Sequence, residues 1–159
     1  MELQNLKKIN KPYSILDSTY IDKITLKLIK QGQKKQVFNI LHNLVETLKK
    51  TETNETNSMT TVELLQKALT NVMPFVQLKS LKKGSTSVQI PATLTQKQQL
   101  NLAIKWLIIA AKKRNDHKFT VKFLKELQDA SKKQGQAIQL KIDQHKTALN
   151  QKRFLYFRK

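Results

Sequence analysis

Cysteine is absent from this sequence. Disulfides, thiolate zinc sites and thiol catalysis are excluded with it. Glycine occurs only three times, and neither the GxxxxGK(S/T) nor the GxGxxG phosphate loop is present. Aromatic residues make up 6% of the chain, which argues against a stacking-rich sheet protein. No apolar run approaches a membrane span. The longest, WLIIAA at 106–111, lies between Lys105 and Lys112 and reads as a buried helix. The opening MELQNLKKINK has neither an apolar signal core nor an arginine-rich presequence, so no cleavable address is expected.

Acid is also scarce. Thirty basic side chains face 11 acidic ones, a net charge of +19. Such an excess repels itself and weakens a compact state unless a polyanion neutralises it. Nucleic acid is the first candidate and an anionic membrane surface the second. Of the 30 basic residues only Arg114, Arg153 and Arg158 are arginines, although arginine is the better bidentate phosphate ligand. Abundant Lys, Asn and Ile point to an adenine- and thymine-rich genome, as in an organelle or a reduced bacterium. The three histidines, His42, His117 and His145, stand at no metal-ligand spacing from one another, and no carboxylate cluster supports them. No titratable pair or triad neighbourhood is visible. The chain reads as a non-enzyme with no metal, cofactor or small-molecule substrate.

Hydrophobic periodicity predicts a mainly all-α protein of six helices with one β-ribbon between the third and fourth. Residues 1–16 form a basic arm with Lys7, Lys8 and Lys11, and 17–159 a single helical domain. Asp17 or Ser18 is positioned to cap the first helix, Ile21, Ile24 and Leu28 form its stripe, and Gly32 closes it. Val37, Ile40, Leu41, Leu44 and Leu48 mark the second helix, followed by the polar linker TETNETNS at 51–58. Thr60 and Glu63 have capping-box spacing, Val62, Leu65, Leu69 and Val72 follow, and Pro74 stops the third helix. Thr95 with Gln98 gives a second box, opening a central helix with Leu100, Ala103, Trp106, Leu107 and Ala110. Trp106 has two readings, a core side chain or a rim residue touching a ligand. Asn115 or Asp116 should cap the fifth helix, which carries Phe119, Phe123, Leu127 and Ala130 and is closed by Gly135. Ala137, Ile138, Ile142 and Leu149 form the sixth stripe.

The ribbon occupies 75–91. Val76 and Leu78 share one face of its first strand, and Val88 and Ile90 share one face of its second. Lys82, Lys83, Gly84 and Ser85 fill the turn, and Pro91 ends the second strand. A lone two-stranded ribbon is marginal in water, so its base must rest on the helices.

Lysine gathers at the junctions between elements. Lys34 and Lys35 begin the second helix; Lys79, Lys82 and Lys83 lie on the ribbon. Lys112, Lys113 and Arg114 end the fourth helix, Lys118 begins the fifth, and Lys152, Arg153, Tyr156 and Arg158 crowd the tail. Corners can project together toward one phosphate backbone, whereas lysines spread over helix faces are merely solvated. Tyr156 and Phe157 can stack on bases or pack on the bundle. RNA recognised by shape suits this pattern, and a basic architectural DNA-binding protein of an organelle or bacterial nucleoid is the alternative.

NVMPFVQLKSLKKGSTSVQIP at 71–91 resembles the NVxP…VK(S/A)RRVGGSTYQVP signature of the small-subunit ribosomal protein seven family. LAIKWLIIAAKKR at 102–114, KELQDASKKQGQAIQLKIDQHKTA at 125–148 and the terminal RFLYFR continue the resemblance, and GQKK upstream falls in step. The resemblance implies six helices with a β-ribbon arm. It implies a structural constituent of the small ribosomal subunit that binds the 3′ major (head) domain of its rRNA and nucleates head assembly. The arm would lie near the exit-site tRNA and mRNA, beside head proteins and platform protein eleven. RNA contact is implied for Lys34, Lys82, Lys83, Arg114 and Arg158, and for Lys7, Lys8 and Lys11 of the amino-terminal arm. The family's paired arginines on the ribbon are Leu81 and Lys82 here, and its V-G-G is Lys83-Gly84-Ser85. The compositional bias and the missing address suggest an organelle-encoded protein of a mitochondrial ribosome, with a plastid or a bacterial cytoplasm as alternatives.

Overall fold

A computed structural model describes residues 15–29, 31–52 and 61–157. Six α-helices are present among them, α1 (Ile15–Leu28), α2 (Lys34–Glu52), α3 (Thr61–Val72), α4 (Gln96–Lys113), α5 (Phe119–Ser131) and α6 (Gln136–Asn150). An antiparallel ribbon of β1 (Val76–Lys83) and β2 (Thr86–Thr93) joins α3 to α4, and a 3-10 segment, Lys152–Phe157, follows α6. This is the predicted architecture. No described helix is long and apolar enough to cross a membrane.

The core follows the apolar stripes. Buried Leu100, Ala103, Ile104, Trp106, Leu107, Ile108, Ala110 and Ala111 make α4 the most enclosed helix. It packs against α1, α3, α5 and α6. Phe123, Leu127 and Ala130 of α5, Leu65, Leu69 and Val72 of α3, and Val37, Leu41 and Leu44 of α2 complete the same cluster. Burying each Leu, Val or Phe in such a cluster contributes about 1.5–3 kcal/mol. Trp106 is 8% exposed and belongs to this core, which decides between its two readings.

Several local expectations are corrected. α1 already includes Asp17 and Ser18, so neither caps it. Thr60 and most of the 51–58 linker lie outside the described residues, while α2 runs on to Glu52. α5 starts after Lys118, not after Asn115 or Asp116; Asp116 accepts a hydrogen bond from Lys125 Nζ at 2.6 Å instead. The left-handed residue at the end of α5 is Lys133 (φ 61°), and Gly135 (φ 95°) opens α6. On α6 the buried side chains are Ala137 and Ala148; Ile142 and Leu149 face outward, at 40% and 70% exposure. Ala137 and Ile138 face the core as expected, and towards the carboxyl end Ala148 takes the inward position in place of Leu149.

The ribbon also departs in detail. Its turn is only Gly84 and Ser85, with Gly84 at φ 62° in the first central position, so Lys82 and Lys83 belong to β1. Val76 pairs with Thr93 and Leu78 with Pro91, while Val88 pairs with Leu81 and Ile90 with Lys79. Opposed residues share a face, so the Val76/Leu78 pair and the Val88/Ile90 pair lie on opposite faces. β2 continues through Pro91 to Thr93. Counting from the turn, Pro91 falls at a non-hydrogen-bonded position of the ladder, where its missing N–H is not needed.

Candidate nucleic-acid interface

No Asp or Glu occurs between Glu63 and Asp116. The whole ribbon and all of α4 therefore lack a carboxylate, and their lysines have no partner within either element. Lys79 and Lys82 are exposed along β1, and Lys83 stands at the last ladder position, opposite Thr86. Lys82 lies on one face of the ribbon and Lys79 on the other. The arm thus presents positive charge on both sides.

The arm's root is fixed. Leu94 N–H donates to the Phe75 carbonyl at 3.2 Å, closing the two ends of the ribbon against each other. β1 packs on α6, and β2 packs on the 3-10 segment. Phe75 N–H donates to His145 Nε2 at 3.3 Å, and the two rings stack at 6.3 Å. One turn earlier on α6, Lys141 Nζ donates to the Asn71 carbonyl at 2.6 Å. Asn71 Nδ2 in turn donates to the Ala130 and Ser131 carbonyls at 3.0 and 3.1 Å, satisfying the free end of α5. These anchors were missed in the sequence; the only local signal is an Asn placed three residues before Pro74.

His145 must present a bare Nε2 to accept from Phe75. Burial, and then the Lys141 ammonium, lower its pKa below the ordinary 6.5. A histidine whose folded-state pKa is depressed favours the fold fully above its unfolded pKa, and this contribution is lost as pH falls through the folded-state value. An NMR titration of His145 should give a midpoint below 6.5, with protection of the Phe75 amide falling over the same range after correction for intrinsic exchange. A midpoint above 6.5 would contradict this geometry.

The second basic region forms where four elements meet. The carboxyl ends of α1 and α4 meet the amino ends of α2 and α5 around a shallow cleft of about 280 Å³. Leu28, Val37, Ile40 and Phe119 give it apolar walls, and Gln33, Gln36 and Lys112 line it with polar groups. Lys34 and Lys35 are exposed at the first turn of α2; Lys112, Lys113 and Lys118 are exposed on the other side. The fold therefore brings two clusters that are distant in sequence to one corner. Neither α2 nor α5 carries an acid in its first turn, so the free amides there also favour an anion. None of Lys34, Lys35, Lys79, Lys82, Lys112, Lys113, Lys118 and Lys152 has a carboxylate partner among the described residues.

Arg114 differs from its neighbours. Its Nε donates to Glu126 Oε2 at 2.7 Å and its NH2 group to Asp129 Oδ2. Burial lowers its pKa, but the hydrogen bonds with Asp129 and Glu126 outweigh this and hold it above the ordinary value. Glu126 is fully buried, and its other oxygen, Oε1, accepts from Ala137 N–H at 2.9 Å. Gly135 has no side chain to cap α6, and Glu126 takes that role. A Cβ on Gly135 would sit 2.9 Å from Glu126 Oε1. The Arg114 charge is thus spent inside the protein, in contrast to the RNA contact that the resemblance implies for it.

The tail lies against β2. Lys152 and Arg153 are exposed, the Arg153 guanidinium lies 4.8 Å from the Phe154 ring centre, and Tyr156 is 90% exposed. Lys7, Lys8, Lys11 and Arg158 lie outside the described residues. Among the described residues, no three His, Asp or Glu side chains are grouped to hold a metal ion.

Residues 2–152 match the family model described as ribosomal protein S7p/S5e. The chain belongs to this family. It is 32% identical over 152 residues to the small ribosomal subunit protein uS7 of Pelagibacter ubique, covering 96% of this chain and 94% of that protein. It is 31% identical to the uS7c protein of Tupiella akineta, with 96% and 94% coverage. Against the uS7c protein of Ostreococcus tauri the identity is 30%, with 92% and 91% coverage. The family thus spans bacterial and uS7c relatives at nearly equal distance from this chain.

Proposed function

We propose that this protein is a structural, non-enzymatic constituent of the small ribosomal subunit and binds its rRNA through the arm, the four-element corner and the tail. The target is the 3′ major domain, where the protein nucleates head assembly among neighbouring head proteins. The arm reaches toward the exit-site tRNA and mRNA, next to platform protein eleven. The observation that carries this reading is the run of unpartnered lysines on an acid-free arm and corner, in a chain of the S7p/S5e family. Phosphates are the chemistry such lysines fit, and each contact releases counterions. The lysine-for-arginine bias supports an organelle with an adenine- and thymine-rich genome, which we take to be the mitochondrion; co-sedimentation with plastid or bacterial small subunits would reassign it.

Competition binding tests the reading. A folded head-domain rRNA fragment should outcompete duplex DNA of equal length, with affinity falling steeply as salt rises. Equal affinity for the two would favour the architectural DNA-binding alternative. Replacing Lys82 and Lys83 with alanine should reduce the slope of log affinity against log salt by about 2, roughly one per lost phosphate contact. The melting temperature should hold, because Lys82 is exposed and has no carboxylate partner among the described residues. An unchanged salt slope would remove the arm from the interface.

A further inference from the structure

We infer that the cleft between α1, α2, α4 and α5 is a slot for one unpaired nucleobase of the bound RNA. This deepens the rRNA-binding reading and rests on it. The cleft sets apolar walls among its lysines. Val37 is buried, and Leu28, Ile40 and Phe119 are half-buried, leaving part of each to line an opening. A phosphate alone gains nothing from such walls. A base has planar apolar faces that gain from covering them, and a polar edge that must then be satisfied.

The polar groups at the cleft match that edge. Gln33 and Gln36 each carry a carbonyl acceptor and an amino donor, and both are exposed. A carboxamide can pair with a base edge in two hydrogen bonds, as Gln does with adenine. The volume of about 280 Å³ is near the lower end of the range for small-ligand pockets, roughly 300–1,000 Å³. That suits a single base rather than a peptide helix. Charge selects the same occupant. Lys112 lines the cleft, Lys34, Lys35, Lys113 and Lys118 stand on the flanking helix ends, and none has a carboxylate partner among the described residues. A base entering the slot brings phosphates on either side of it, and the lysines at the two helix amino ends meet them. Single-stranded loops and bulges can splay a base out in this way, whereas a continuous duplex cannot.

The slot makes a prediction that lysine contacts alone do not. Uncharged contacts change affinity without releasing counterions. The test uses the full chain, the head-domain rRNA fragment, and chemical probing of Watson–Crick edges at nucleotide resolution. Wild-type protein should protect the edge of one unpaired nucleotide. In the double variant Gln33→Ala/Gln36→Ala that protection should vanish and affinity should fall about tenfold, with the salt slope and the melting temperature unchanged. Lys112→Ala/Lys118→Ala should instead flatten the salt slope by about 2. A photo-crosslinker at position 36 should map to the same nucleotide. The slot is overturned if the glutamine variant keeps wild-type affinity and footprint, or if the crosslink falls on duplex backbone or on a protein. Failure of wild-type protein to prefer the rRNA fragment over duplex DNA would overturn the parent reading, and is seen before any variant is made.

Discussion

Arg114→Ala should destabilise the free protein by about 3–5 kcal/mol, the cost of leaving a buried charge without its partner. Glu126 has no exposed surface, and Arg114 is its only charged partner among the described residues. Removing the guanidinium leaves that carboxylate in the interior, still bonded to Ala137 N–H but without a counter-charge. The fold can answer only by admitting water, which loosens the α5–α6 corner. Asp129, with its side chain 40% exposed, loses less, because water can replace its bond. Arg114→Lys should recover part of the loss at most, since one ammonium cannot span two carboxylates in the planar geometry of a guanidinium. Thermal or denaturant unfolding without RNA checks this. Were Arg114 a phosphate ligand instead, the same variant would melt normally and show a salt slope lower by about one. The two outcomes separate cleanly because one is read with RNA absent and the other only with RNA present.

What the sequence reveals and what it hides divide along the range of the interactions. The buried stripes of α2, α3 and α4 were legible because helical spacing is a local property, and Val37, Leu41, Leu65, Leu69, Leu100 and Leu107 all enter the core. The arm was legible because Pro74 and Gly84 punctuate a short alternating stretch. Its register was not, because moving the turn from four residues to two decides which side chains oppose each other. The shorter turn shifts every partner by two residues, so Lys79 meets Ile90 rather than Val88. Arg114 looked like one more member of a basic run, since its carboxylate partners lie 12 and 15 residues away in sequence. The grouping of Lys34 and Lys35 with Lys112, Lys113 and Lys118 was foreseen only as a possibility of corners meeting. The apolar cleft between them was not foreseen, because Leu28, Gln36, Lys112 and Phe119 come from four helices whose packing no local pattern encodes. Ile142 and Leu149 show the converse error: helical spacing alone placed them inward, whereas they are exposed and Ala148 is buried.

Trp106→Ala should cost about 3–5 kcal/mol, the usual penalty for truncating a large buried aromatic ring. Trp106 sits on α4 with Ala103 and Ala110 fully enclosed one turn to either side, so little can move in to fill the space. For a chain of this size each kcal/mol shifts the melting temperature by about 2–4 °C, and the expected drop is on the order of 10 °C. The free protein has little margin to absorb it, because a net charge of +19 already opposes compaction. RNA should change that balance. A ligand that binds only the folded state stabilises it by RT ln(1 + [L]/Kd), about 2.7 kcal/mol at a hundredfold excess over Kd. Saturating head-domain rRNA should therefore raise the melting temperature of wild type and of Trp106→Ala by similar amounts, leaving the gap between them intact. A ring that touched RNA would behave differently, because the variant would then bind more weakly and the gap would widen in the complex. Equal gaps with and without RNA place the indole in the core. A gap that opens only when RNA is added would move Trp106 to the interface and with it the outer boundary of α4's buried face.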